Sequence, residues 1–127
     1  MNNQPSATKF WAWFNPLGRQ TGGLAFILNR ITAIGLTLYL FLHLLVLNQL
    51  AQGPGAYDGF LKLTESPVVK LGELAVVAAA ILHGLNGIRI ILTSFGIGVS
   101  VQKQLFYGFM ALSLVAILFF AARMYLG

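Results

Sequence analysis

Residues 71–92 read LGELAVVAAAILHGLNGIRIIL, an apolar run interrupted halfway along by His83, Asn86 and Arg89. A helix needs about 20 such residues to cross roughly 30 Å of hydrocarbon, so the run is long enough to span a bilayer. Ionisable groups are costly at that depth and mark positions that bind, pack or carry charge. Two windows of the same kind flank the run, Leu24 to Leu47 before it and Leu105 to Leu126 after it.

Composition agrees with three spans. Of 127 residues, 57% are hydrophobic and 9% charged, with a mean hydropathy of +0.79, which is more apolar surface than one small soluble core can hide. The expected fold class is an all-α membrane protein with three transmembrane helices at about 24–48, 67–94 and 103–126. The first run does not read as a signal peptide. More than twenty residues with aromatic and basic character precede it, and no small-residue cleavage site follows it. Cysteine is absent, so thiolate ligands, disulfides and cysteine nucleophiles are excluded and any metal must be held by imidazole. The formal charge of +5 comes from basic residues scattered among helix ends rather than from a patch with interleaved aromatics, and no nucleic-acid partner is expected.

Residues 1–23 read as a cytoplasmic, interfacial segment. Phe10-Trp11-Ala12-Trp13-Phe14 between Lys9 and Arg19 has the aromatic and basic mixture of a headgroup layer, and Asn15-Pro16-Leu17-Gly18 reads as a turn. Residues 24–127 form the transmembrane domain. Its longest linker, Asn48 to Pro67, carries Gly53-Pro54-Gly55 and the stretch Tyr57 to Leu63, which suits a short surface helix; Ser66 is the expected N-cap of the second span, with Pro67 at its first turn. Lys9, Arg19, Arg30, Arg89 and Lys103 fall on one side, while Lys62, Lys70 and Arg123 fall on the other beside Asp58, Glu65 and Glu73. The positive-inside bias then puts the N-terminus in the cytoplasm and the C-terminus outside.

His83 admits two readings. Its imidazole binds a metal, with Gly84 and Gly87 leaving room for a flat macrocycle such as haem, or it hydrogen-bonds another helix and the glycines serve close packing. Arg89 lies ~9 Å nearer the cytoplasmic side at ~1.5 Å per residue, and is either a helix-end anchor or a partner for an anionic group such as a haem propionate. Arg30, with Asn29 beside it and Thr32 two residues on, is placed to receive a quinone carbonyl at the edge of the hydrocarbon, or else snorkels to headgroups. His43 is fourteen residues past Asn29, nearly the same face but ~21 Å further out, so it cannot share a ligand with Arg30. Tyr39, Asn48 and Ser113 read as packing or interfacial residues, and Lys70 and Glu73 as water-facing ones. No catalytic set can be assembled: the acids are confined to one side, and no phosphate-cradling glycine loop or Ser/His/Asp arrangement is present.

Three spans, an arginine early in the first of them in Leu28-Asn29-Arg30-Ile31-Thr32, and His83-x-x-Asn86-Gly87-x-Arg89 in the second resemble the cytochrome b membrane-anchor subunits of succinate dehydrogenase, or complex II. The resemblance covers about Phe26 to Ser94. It implies half of a two-subunit anchor helix bundle in the cell's inner membrane, not catalytic alone. A second anchor subunit, an iron-sulfur subunit and a flavoprotein are the implied partners, with haem b as cofactor and quinone as substrate. By position, His83 becomes an axial haem iron ligand, Arg30 and Asn29 quinone-site residues, and Arg30 and Arg89 propionate contacts. In family members holding two haems, His43 is the matching second ligand. The chain departs from the family's frequent Ser-x-x-His-Arg, having Phe26-Ile27-Leu28-Asn29-Arg30, and has Ile90 where a histidine often follows the second motif's arginine. The contrasting reading is a non-redox membrane subunit, for assembly or transport, whose polar residues serve packing.

Overall fold

A computed structural model of the chain describes residues 9–15 and 21–127. The expected turn at Pro16 to Gly18 and the basic Arg19 lie outside the described residues. A short 3-10 helix, Phe10–Phe14, precedes four α-helices: α1 Thr21–Ala51, α2 Pro54–Thr64, α3 Pro67–Ser94 and α4 Gln102–Leu126. Among the described residues there is no strand. Helices α1, α3 and α4 are each long and apolar enough to cross a membrane, and they are the three spans expected.

The spans outrun the sequence windows because hydrocarbon rewards every intrahelical hydrogen bond. Helix α1 begins at Thr21 rather than Leu24, taking in Gly22 and Gly23, and runs to Ala51 rather than Asn48. At 31 residues it is about 46 Å long, more than the hydrocarbon thickness, so its ends reach the headgroup layers. The chain then turns at Gly53, whose φ of 111° suits glycine, and Pro54 opens α2 at a position where its missing N–H costs nothing. Helix α2 is the short helix expected at Tyr57 to Leu63, extended by a turn. Ser66 caps α3 as expected, its Oγ accepting from the Val69 N–H at 3.2 Å. The end of α3 is closed by a Schellman turn: the Ile97 N–H donates to the Leu92 carbonyl and the Gly96 N–H to that of Thr93, with Gly96 at φ 78°.

Helix α3 is the middle layer, packed against α1 on one side and α4 on the other, while α1 and α4 touch much less. The burial pattern is the reverse of a soluble bundle. Large apolar side chains such as Leu38, Phe41, Leu45, Leu118 and Phe119 face outward, whereas Thr32, Asn86, Arg89 and Ser113 are buried. In lipid the apolar surface has no reason to hide, and helices are held by small-residue contacts and interhelical hydrogen bonds. The buried polar residues of α1 and α3 lie together near the end of the bundle where α1 starts.

Candidate functional site

Two turns of α1, from Ala25 to Thr32, meet the second half of α3 along a polar seam. Asn86 is fully buried and donates from Nδ2 to the Ala25 carbonyl at 2.9 Å. Its Oδ1 accepts from the Arg89 Nε at 3.1 Å. One amide therefore ties α3 to α1 and holds the arginine of its own helix, which is possible because 86 and 89 are neighbours one turn apart. At three residues' spacing Asn86 shares a helical face with His83. In the structure it is the bundle's fixed point, and His83 lies at the border between this packed seam and the open side of α3.

His83 is half-buried, one turn further into the membrane. Its Nδ1 lies 3.1 Å from the Thr32 hydroxyl and 3.3 Å from the Asn29 carbonyl, both on α1. Its Nε2 has no hydrogen-bond partner among the described residues. Beside the ring on α3, Ala80 and Gly84 are exposed, and a Cβ added at Gly84 or Gly87 would meet nothing within 4 Å. The imidazole is thus anchored by one nitrogen against α1 and leaves the other without a partner, on a helix whose glycines at 84 and 87 keep the surface open. Thr32, expected beside Arg30 at a quinone carbonyl, turns to His83 instead; its position seven residues before Tyr39 on α1 gave no sign of that contact.

Arg30 points away from this seam. Its guanidinium is stacked 4.9 Å from the Phe26 ring centroid and 5.8 Å from that of Phe14, so the interfacial 3-10 helix and α1 share one cation. Trp13 packs against Phe26 as well, at 6.3 Å between centroids. Phe26 stands at the position where the resembling family often has serine, and here it supports the arginine by its face rather than by a hydroxyl. Asn29 keeps its Oδ1 buried without a hydrogen-bond partner, leaving the amide nitrogen as the group able to donate to a ligand.

Arg89 is 7% exposed and does not run out along the helix to the headgroups. Besides Asn86 it meets Phe106 of α4, 5.7 Å from the ring centroid. It lines a cavity of about 590 Å³ between the ends of α1, α3 and α4, with Thr21, Gly22, Gln102, Lys103 and Tyr107. His43 lies far from all of these. It is exposed, tilted against Tyr39 with 5.6 Å between ring centroids, and lines a largely apolar cavity of about 460 Å³ with Tyr57, Phe60, Gly72 and Glu73 near α2. Glu73, read from sequence as water-facing, is exposed but borders this cavity. Among the described residues no group of three or more histidine or acidic side chains converges on a metal position, so a metal here would rest on single imidazoles. Ser113 behaves as packing, buried with its hydroxyl donating to the Phe109 carbonyl at 2.7 Å.

Comparison with known proteins gives the family of the chain. The succinate dehydrogenase/fumarate reductase transmembrane subunit family matches residues 7–122. The succinate dehydrogenase hydrophobic membrane anchor subunit of Halobacterium salinarum is 36% identical over 93 residues, 72% of this chain and 72% of that protein. The succinate dehydrogenase 2 membrane subunit SdhC of Mycobacterium tuberculosis is 36% identical over 74 residues, 58% of this chain and 54% of that protein. The matched region contains the whole polar seam and all three spans almost to their ends. The chain belongs to the succinate dehydrogenase/fumarate reductase transmembrane subunit family and is a multi-pass membrane protein.

Proposed function

We propose that this chain, with a second membrane-anchor subunit, holds the iron-sulfur and flavoprotein subunits of a succinate:quinone oxidoreductase on the inner membrane, N-terminus in the cytoplasm, and that His83 binds haem b. The observation that carries the haem reading is the asymmetry of the His83 ring: Nδ1 is engaged by α1, Nε2 has no partner among the described residues, and Gly84 and Gly87 of the same helix leave open space where a side chain would stand. An imidazole that served only to join two helices would be satisfied at Nδ1, and its second nitrogen would be left unpaired in hydrocarbon. Iron coordination at Nε2, with a second ligand from the partner anchor, removes that deficit.

Bound haem supplies a one-electron carrier within the membrane. The residues of this chain orient and surround it: His83 fixes the ligand plane, the glycines of α3 leave a surface that a flat group can approach, and Arg30 or Arg89 offers a guanidinium to a propionate. Arg30 also bears on quinone. Its charge is held by Phe14 and Phe26 with no acidic partner, so its N–H groups remain free to donate to a quinone carbonyl, with the Asn29 amide nitrogen beside it. A second haem at His43 rests on the resemblance alone, since neither nitrogen of that ring is tethered among the described residues.

The test is a reduced-minus-oxidised spectrum of the intact complex, with and without His83→Ala. A low-spin bis-imidazole haem signal that vanishes in the variant is expected. An unchanged signal in His83→Ala, or an assembled complex without haem, would remove His83 as a ligand. Co-purification of a flavoprotein and an iron-sulfur protein in equal amounts is expected, and their absence would favour the non-redox subunit.

A further inference from the structure

We infer that Thr32 is a positioning residue for His83, fixing which imidazole nitrogen carries the proton and so which one is presented as a lone pair. The inference rests on the reading of His83 as an iron ligand and adds to it the group that sets the ligand's tautomer.

Four close contacts meet at two atoms. The Thr32 Oγ1 lies 2.8 Å from the Leu28 carbonyl, 3.1 Å from the Asn29 carbonyl and 3.1 Å from His83 Nδ1, and that Nδ1 lies 3.3 Å from the Asn29 carbonyl. A hydroxyl has one proton, and a backbone carbonyl has none to give. The shortest contact claims the hydroxyl proton for Leu28, the back-bond that β-branched Thr makes readily inside a helix. If Nδ1 were bare, it would face the Asn29 oxygen with lone pair against lone pair, and its contact with Oγ1 would hold no hydrogen. With a proton on Nδ1, that N–H is shared between Oγ1 and the Asn29 carbonyl, and both contacts of Nδ1 become bonds. A nitrogen that binds iron carries no proton, so on the ligand reading Nε2 is bare. The neutral Nδ1–H tautomer follows, and Nε2 is left as the donor atom.

Each participant has a separate task. Leu28 holds the Thr32 rotamer, so the remaining lone pair of Oγ1 is aimed across to α3. The Asn29 carbonyl alone is a distant acceptor at 3.3 Å, near the limit for a useful N–H···O bond. Thr32 is the nearer of the two. An acceptor on the far nitrogen of a metal-bound imidazole fixes the ring and raises the ligand's basicity, which favours the more highly charged ferric state.

The experiment uses the assembled complex with Thr32→Val and Thr32→Ser. Val keeps the branched shape and removes the acceptor; Ser keeps the hydroxyl. Thr32→Val is expected to raise the haem midpoint potential, shift the ferric low-spin electron paramagnetic resonance g-values, and weaken haem retention by about 10- to 100-fold. Thr32→Ser is expected to behave as the parent. Should Thr32→Val not assemble, Thr32→Cys, whose thiol is only a weak acceptor, should give the same direction of shift. Haem bound through His83 with an unmoved potential and spectrum in the acceptor-free variant overturns the role of Thr32, as does a Ser variant as perturbed as Val. Haem that survives His83→Ala instead overturns the ligand reading beneath it, so the two failures are distinguishable.

Discussion

The two ends of the α1–α3 pair carry one histidine each and treat it differently. Near the start of α1, His83 is half-buried in a seam where Ala25, Asn29 and Thr32 meet Asn86 and Arg89, and its ring is tethered by hydrogen bonds to the opposite helix. Near the end of α1, His43 packs against a tyrosine of its own helix and borders an apolar cavity under α2 without such a tether among the described residues. A histidine in a span is informative when its neighbours leave it with one satisfied nitrogen and one free nitrogen. Depth alone does not distinguish a ligand from a residue that can reach interfacial water.

The largest expected effect breaks the comparison directly. His83→Ala should abolish the haem spectrum, while His43→Ala should leave the ratio of haem to flavin at its parent value; a ratio cut to half in His43→Ala would assign the second histidine its own haem. Next in size is Arg30→Ala. Loss of a charge-assisted hydrogen bond of about 1.5–3 kcal/mol predicts quinone reduction slower by about tenfold to a hundredfold, with succinate oxidation by an artificial acceptor unchanged. Equal loss in both assays would make Arg30 an assembly residue. Asn86→Ala should be smaller, about 1–2 kcal/mol, read as earlier dissociation of the anchor on titration with a denaturing detergent. It removes the α1–α3 bond and frees the Arg89 side chain together; an anchor as resistant as the parent would show that the seam is held by close packing alone.

How far the sequence revealed this differs by level. The three spans, the α2 surface helix, the Ser66 cap and the stop after Ser94 follow from hydropathy windows and from Ser, Pro and Gly at helix ends, which are local signals. His83, Asn86 and Arg89 stood out because polar residues are rare in a span. Their division of labour did not, because it depends on which residue of α1 lies opposite. Asn86, a neighbour of His83 in the motif, is the interhelical tie, Arg89 turns inward to Phe106, and Thr32 faces the histidine rather than the arginine two residues before it. Helical periodicity gives a face to within about 100° per residue, but the pairing register between two helices is a tertiary fact. Phe26 was seen only as a missing serine. The structure gives it a positive role, as the aromatic surface on which Arg30 rests.

The smallest expected effect separates the hydroxyl from its setting. Ser113 in α4 and Thr32 in α1 make the same bond, donating to the carbonyl four residues back at 2.7 and 2.8 Å, and both are buried. That bond is redundant, because the carbonyl already accepts from its own helix, and a side chain making it can even weaken a helix slightly. Ser113→Ala should therefore change anchor stability by no more than about 0.5 kcal/mol and leave haem potential untouched. Thr32 differs in having an imidazole of another helix 3.1 Å away. A shift in haem potential from Ser113→Ala comparable to that from Thr32→Val would mean that the spectrum reports general loosening of the bundle. A silent Ser113→Ala beside a shifted Thr32→Val would locate the effect in the lone pair that faces His83.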